Sequence, residues 1–390
     1  MHVVHYSSQI IENELKSMDL DNLKIEQFLQ SCIRNVFKLC DIPGSLVPLL
    51  EELVSRENAA IIFSEKTHAA DNDIDAVIAG SSQEISSLCR CLKEQSGKAG
   101  ELGQSIHHVL EKLKHKPTEK LHLGSHTFYL GKRTLIMGIL NITPDSFSDG
   151  GRFDKTENAI AQAYKMAADG ADIIDIGGES TRPGAQEITA EEELKRVMPV
   201  IQALKSDNNF KIPLSIDTYK ASVAEHALEA GVEMLNDVWG LKKDSEIGSV
   251  AARYRVPVCL MHNRGNTDYD DLIPNIIAEL EESIDLARQV GIEDNQIIID
   301  PGIGFGKNLE QNLEVMFHLQ VFSKLGYPLL LGTSRKSMIG KTLDLPTEER
   351  LEGTAATVAY GIATGADIIR VHDVMQMKRV AVMTDAITRR

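Results

Sequence analysis

Along the last two thirds of the chain, polar groups able to do chemistry recur at the ends of short apolar runs. They are Asn141, Gly178-Glu179, Asp217, Asn236-Asp237, His262, Asp300, Ser334-Arg335-Lys336 and Arg370-Val371-His372-Asp373. Any one of these could be a helix cap or a satisfied loop residue. Gathered on one rim they would surround a common cavity with amides, carboxylates and cations. Two polar loops add to the set. One, Thr143-Pro144-Asp145-Ser146-Phe147-Ser148-Asp149-Gly150-Gly151, is long, glycine-ended and carries an aromatic; the other, Glu179-Ser180-Thr181-Arg182-Pro183-Gly184-Ala185, offers hydroxyls and a guanidinium. Mobile hydroxyl- and arginine-bearing lids suit an anionic substrate that must be enclosed. The stretch Gly302-Ile303-Gly304-Phe305-Gly306-Lys307 lacks the phosphate-loop spacing, and Asn308 stands where Ser or Thr would be needed. Its glycines would instead let the backbone approach a flat ring beside Phe305.

Other chemistries fit less well. The sequence has no HExxH metal pair and no G-x-S-x-G elbow. Cys259 and His262 are three residues apart, so on a strand they face opposite sides and cannot form a couple. Asp217 and Asp300 could act as a glycosidase pair, but a neighbouring Lys and Arg would hold both ionised.

The elements that must position these groups are legible. Apolar runs at 134–142, 171–177, 213–217, 233–238, 257–262, 296–300, 328–333 and 368–372 alternate with helical stretches such as 189–204 and 276–290. Near-continuous hydrophobicity marks parallel strands covered on both faces. Gly170, Gly231, Gly291, Gly326 and Gly365 each precede a strand, where glycine can stop a helix. Gly170-Ala171-Asp172-Ile173-Ile174 and Gly365-Ala366-Asp367-Ile368-Ile369 are near copies. Eight such units predict a closed TIM (β/α)8 barrel, with a doubly wound open sheet as the alternative. In the barrel, functional groups lie at the C-terminal strand ends. A basic linker at 112–120 sets the barrel domain at 119–390. Before it comes a short domain at 1–118, read as small α/β. Its helical pattern falls at 24–35, 45–56, 82–94 and 99–114 and its strand-like runs at 59–63 and 75–79; it carries no motif with chemistry. The pieces at 121–123 and 127–130, flanking Gly124-Ser125, form a hairpin. With 390 residues, 43% hydrophobic and 25% charged, the chain can bury two cores; the net charge of −16 argues against nucleic-acid binding. No apolar run approaches the roughly 18 residues of a membrane span, no secretory leader is read, and five cysteines in odd number suggest reduced thiols in the cytoplasm.

The motifs resemble those of dihydropteroate synthases. Leu135–Gly151 is similar to the first signature of that family and Asp175–Gly184 to the second; Ser215–Thr218, Leu235–Asp237, Asp300–Lys307, Gly332–Lys336 and Arg370–Asp373 follow in the family's order. The resemblance covers 119–390 and leaves the first 118 residues outside the common core. Asn263 stands where an apolar Met is common in the family.

What the resemblance implies is transfer of 6-hydroxymethyl-7,8-dihydropterin from its pyrophosphate to the amine of p-aminobenzoate, in folate synthesis, assisted by Mg2+. The residue chemistry agrees. Asp300 and Asn236 would read the amino-pyrimidine edge, Lys336 would donate to the carbonyl or a ring nitrogen beside Gly332, and Arg370 would stack on the ring. Met261 and Phe305 would supply apolar contacts, and Asp217 would stabilise developing positive charge. Asn141, Arg182 and His372 would meet the pyrophosphate, with magnesium bridged by Asn141. By resemblance, Phe147, Thr181, Arg182, Pro183 and Ser334 would help form the p-aminobenzoate site. The resemblance further implies a homodimer and sensitivity to sulfonamides. A pterin-binding methyltransferase and a non-catalytic pterin-binding protein are the alternatives.

Overall fold

The computed structural model describes residues 2–6, 35–64, 73–114, 119–143, 152–180 and 187–389. The chain divides into two compact units, Met1–Lys116 with Gln320–Gly326, and Pro117–Leu319 with Tyr327–Arg390.

The first unit holds an antiparallel sheet in the order β1 (His2–Tyr6), β2 (Asn35–Pro43), β4 (Asp73–Gly80), β3 (Ala60–Phe63). Helices α1 (Val47–Arg56), α2 (Ser82–Lys93) and α3 (Lys98–Lys114) belong to it. Alternation puts Phe37 and Leu39 of β2 and Ile74, Ala76 and Ile78 of β4 on one face, packed with Leu50, Leu53, Ile85, Leu88, Leu102 and Ile106. A register shift between Leu39 and Ile42, with Asp41 at φ 54°, restores Ile42 to that core. Helix α2 starts at a capping box in which Ser81 and Glu84 each bind the other's backbone amide. Gly103 lets α3 lie close on α2, since a Cβ there would sit 2.6 Å from Leu92 Cβ. The helical pattern at 24–35 falls mostly outside the described residues, and its last residue, Asn35, opens β2 instead. β1 and β2 have no counterpart among the expected strands.

In the second unit the eight expected strands form one parallel sheet, in the order β12-β11-β10-β9-β8-β7-β14-β13. They are β7 (Leu135–Asn141), β8 (Ile173–Gly177), β9 (Leu214–Asp217), β10 (Met234–Asp237), β11 (Val258–Met261), β12 (Ile297–Asp300), β13 (Leu330–Leu331) and β14 (Ile368–Val371). A parallel bridge between Ile299 and Leu329 closes the ring. The intervening helices are α4 (Arg152–Ala168), α5 (Ala190–Ser206), α6 (Ala221–Glu229), α7 (Ile247–Tyr254), α8 (Leu272–Gln289), α9 (Leu309–Phe317), α11 (Ser337–Leu343), α12 (Leu351–Ala363) and α13 (Val374–Thr388), while α10 (Leu319–Ser323) follows α9 in the chain and falls, after its first residue, in the first unit. The architecture is a TIM-type barrel. Its lower interior is filled by Leu135, Met137, Ile173, Met234, Cys259, Ile298, Leu330 and Ile368, together with Leu121 and Leu123 of the hairpin β5 (Lys120–Leu123) and β6 (His126–Tyr129).

The repeated Gly-Ala-Asp has a physical reason. Gly170 and Gly365 take φ of 98° and 113°, ending their helices. The aspartates after them bind the neighbouring strand: Asp172 accepts from Ile136 N at 2.9 Å and Asp367 from Leu329 N at 3.2 Å. Glu233 does the same for Leu214 N at 2.9 Å. Carboxylates at the strand starts thus satisfy amides at the barrel's lower edge.

Candidate active site

Strand alternation carries the lower apolar layers upward into a polar one. Two residues above Ile173, Met234, Ile298 and Ile368 stand Asp175, Asn236, Asp300 and Arg370; Asp217 and Lys336 join them. Arg370 is the centre of this layer. Its Nε donates to Asp175 Oδ2 and its Nη2 to Asp217 Oδ2, each at 2.6 Å. Asn236 Nδ2 donates to the same Asp175 oxygen at 2.9 Å. Asp175 and Asp217 each keep one buried oxygen, Oδ1, without a hydrogen-bond partner. Burial pushes the Asp217 carboxyl up to about 7, opposed by the Arg370 guanidinium and reinforced by the Asp175 charge. Asp300 is likewise raised by burial, with Lys336 opposing. On both acids burial and a neighbouring cation therefore act in opposite directions.

Lys336 caps the loop after β13. Its Nζ donates to Ile303 O and lies 4.7 Å over the Phe305 ring. Burial lowers it to about 8, with Asp300 holding it up. A Cβ on Gly332 would sit 3.9 Å from Lys336 Nζ and 3.8 Å from Arg370 Cβ, so the glycine keeps the space between the two cations open. Asp300 Oδ1 accepts from Gly302 N at 2.7 Å, which aims the carboxyl. Met261 and Phe305 pack with Tyr219, Val238 and Trp239 into an apolar wall beside the polar floor. A charged, hydrogen-bonding floor with one aromatic side suits a flat heterocycle bearing donors on its edge.

Several residues support this layer from outside. Ser334 Oγ is bound by His372 N at 3.1 Å and lies 3.0 Å from His372 Nδ1, so it orients the imidazole. Arg335, at φ 56°, forms a two-pronged pair with Asp373 at 2.7 and 2.8 Å. Asp237 accepts from Trp239 N and Leu241 N, at 2.9 and 2.6 Å, and shapes the turn after β10. Glu179 and Glu193 share the Lys220 ammonium, and Tyr219 OH donates to Glu179 at 3.2 Å. Cys259 lies in the barrel interior, while His262 Nε2 sits 3.1 Å from Glu279 of α8, as opposite faces require.

The comparisons with known proteins decide the family. A family model for pterin binding enzymes matches residues 137–372. A dihydropteroate synthase of Clostridium beijerinckii is 57% identical over 271 residues, which span 69% of this chain and 100% of that protein. The chain belongs to the dihydropteroate synthase family. The synthase of Bacillus subtilis is 52% identical over 69% of this chain and 94% of its own length. Among solved structures, a dihydropteroate synthase from Clostridium difficile, determined in the presence of pteroic acid, matches with a TM-score of 0.66 and 55% identity, covering 67% of this chain and 100% of that one. A Yersinia pestis synthase in a sulfonamide drug complex matches with a TM-score of 0.65 and 41% identity, over 69% of this chain and 98% of that one.

Within this synthase barrel, the structure brings together Asp217, Asn236, Met261, Asp300, Phe305, Gly332, Lys336 and Arg370. Asn141 and His372 end β7 and follow β14, at the C-terminal edge. Phe147, Thr181, Arg182 and Pro183 lie outside the described residues. Sequence reasoning gave no role to Asp175, the fully buried acid that holds Arg370 and Asn236. Its position two residues after Ile173, on the inward register, was the available signal.

Proposed function

We propose that the barrel joins 6-hydroxymethyl-7,8-dihydropterin pyrophosphate to p-aminobenzoate, giving 7,8-dihydropteroate and pyrophosphate. The observation that carries this reading is the layer in which buried Asp175, Asp217, Asn236 and Asp300 meet the half-buried Lys336 and Arg370, in a chain 57% identical to a synthase. Asp300 accepts from the pterin amino edge. Asn236 offers its carbonyl oxygen there, one of its amide hydrogens being held by Asp175. Lys336 donates to the ring, and Arg370 lies against its face. The bond between the exocyclic carbon and the pyrophosphate oxygen breaks, its electron pair leaving with pyrophosphate. Positive charge delocalises into the pterin, stabilised by the Asp217 carboxylate. The p-aminobenzoate nitrogen lone pair then forms the new C–N bond and its proton passes to solvent. His372, oriented by Ser334, and Arg182 meet the pyrophosphate; Phe147, Thr181, Pro183 and Ser334 border p-aminobenzoate.

Asn141 fits a magnesium role. Its amide oxygen is a hard donor, and a Cβ on Gly177 would already touch it at 3.4 Å, so glycine leaves room on that side. When bound, Mg2+ supplies neutralisation of the leaving pyrophosphate. The deciding experiment is p-aminobenzoate-dependent pyrophosphate release from the pterin pyrophosphate with Mg2+. Absence of turnover where a control synthase works would overturn the reading. Sulfonamides, as p-aminobenzoate mimics, compete with that substrate. A homodimer is supported by the exposed apolar side chains Tyr360 of α12 and Val382, Met383 and Ile387 of α13, the last three 59–62% exposed. Met383→Glu converts the dimer to monomer in light scattering; an unchanged mass would exclude this face. Among the described residues, no helix is long and apolar enough to cross a membrane.

A further inference from the structure

Lys307 lies outside the groups assigned to substrate, yet it is buried beneath the loop that carries Phe305. Three partners surround its nitrogen: His262 Nδ1 at 2.9 Å, Gly302 O at 3.1 Å and Phe305 O at 3.0 Å. An ammonium has three donors and no acceptor, so each partner accepts one proton. His262 is then the neutral tautomer with its proton on Nε2, facing Glu279 Oε2 at 3.1 Å; burial holds this ring down to about 4. Glu279 in turn sits 3.3 Å from Arg264. The two carbonyl bonds persist whether the Lys307 nitrogen carries two protons or three, so the pin does not depend on its charge.

The loop is fastened to the same place by its backbone. Gly302, at φ 70°, passes so close to His262 that a Cβ would lie 1.9 Å from its carbonyl oxygen. Gly304 N donates to Asn312 at 2.6 Å and Gly306 O accepts from Tyr269 OH at 2.8 Å. Successive carbonyls turn to different lysines: Gly302 O and Phe305 O to Lys307, Ile303 O to Lys336. Between them rides the Phe305 ring, 4.7 Å from Lys336 Nζ.

We propose that Lys307, backed by His262 and Glu279, is a positioning residue that fixes Phe305 and Lys336 against the pterin ring. The inference rests on the pterin reading of this pocket. It acts on one substrate only, because the loop it holds borders the pterin wall.

The test uses the full-length protein with Lys307→Met, which keeps the side-chain bulk and removes all three donors, and the milder Glu279→Gln. Calorimetry gives the Kd for the pterin pyrophosphate, and steady-state kinetics give KM for each substrate. Lys307→Met is expected to weaken pterin binding tenfold or more, with KM for p-aminobenzoate within twofold of wild type. Glu279→Gln is expected to weaken pterin binding about threefold in the same one-sided way. A folded Lys307→Met protein with wild-type pterin Kd, even with a lower melting temperature, would show a merely structural prop and overturn the inference. If Lys307→Met does not fold, an unchanged pterin Kd in Glu279→Gln overturns it. Failure of the wild-type protein to bind the pterin would remove the functional reading, and this inference with it.

Discussion

Replacing Arg370 by Met should unbalance the floor of the pocket in a way whose pH dependence can be calculated. Met roughly keeps the length of the side chain and removes the guanidinium that bridges Asp175 and Asp217 at 2.6 Å each. Both carboxylates are buried, and each already has one oxygen without a partner. Removing one member of a buried ionic cluster costs about 3–5 kcal/mol, because the charge left behind is uncompensated. In a barrel of this size that corresponds to a melting-temperature drop of roughly 6–20 °C. The sign with pH follows from Asp217. Its folded pKa is raised to about 7, so the folded state holds a proton that the unfolded state releases, and stability falls as pH rises from the ordinary carboxylate range towards 7. Arg370 opposes that rise. Without it the Asp217 pKa moves higher and the falling window extends above 7. Between pH 7 and 8 the variant should lose stability at up to roughly 1.4 kcal/mol per pH unit while wild type levels off. Urea unfolding at pH 6, 7 and 8, followed by the single tryptophan, Trp239, measures this. A variant as stable as wild type at pH 8, or a deficit that shrinks with rising pH, would refute the buried-charge account.

Three further outcomes are expected. The kcat/KM for the pterin pyrophosphate should rise with pH through about 7 as Asp217 ionises and fall through about 8 as Lys336 loses its proton; a flat profile from pH 6 to 9 would remove both from the chemistry. Asp300→Asn sets amide donors against pterin donors, and losing a hydrogen bond to a charged group at about 1.5–3 kcal/mol predicts roughly 10–150-fold weaker pterin binding by calorimetry; wild-type affinity would misplace the pterin edge. A chain of residues 119–390 should retain pyrophosphate release, since the Clostridium beijerinckii synthase is matched along its full length by 69% of this chain; a soluble but inactive product would give the first 118 residues a part in the site.

The barrel was legible because each strand keeps two independent signals in register. Apolar runs announced the strands and their polar ends, and in the structure period two sets Asn236 above Met234, Asp300 above Ile298 and Arg370 above Ile368 on the inward side. Length was less legible: the run 328–333 yields a two-residue ladder at Leu330–Leu331, because β12 and β13 meet only through the Ile299–Leu329 bridge. In the first unit the bulge between Leu39 and Ile42 breaks the alternation that would have announced β2. The site shows the same division. Residue types at strand ends could be read one by one, but Asp175 lies within an apolar run, and its partner Arg370 is 195 residues away. Whether a buried aspartate is a fault or a counter-ion depends on that partner, and periodicity carries no information about it. The same holds for Lys307, whose three acceptors come from one loop and the end of another strand. Local pattern therefore specifies which side chains enter the barrel, while charge state and orientation are settled by pairs that only closure of the ring creates.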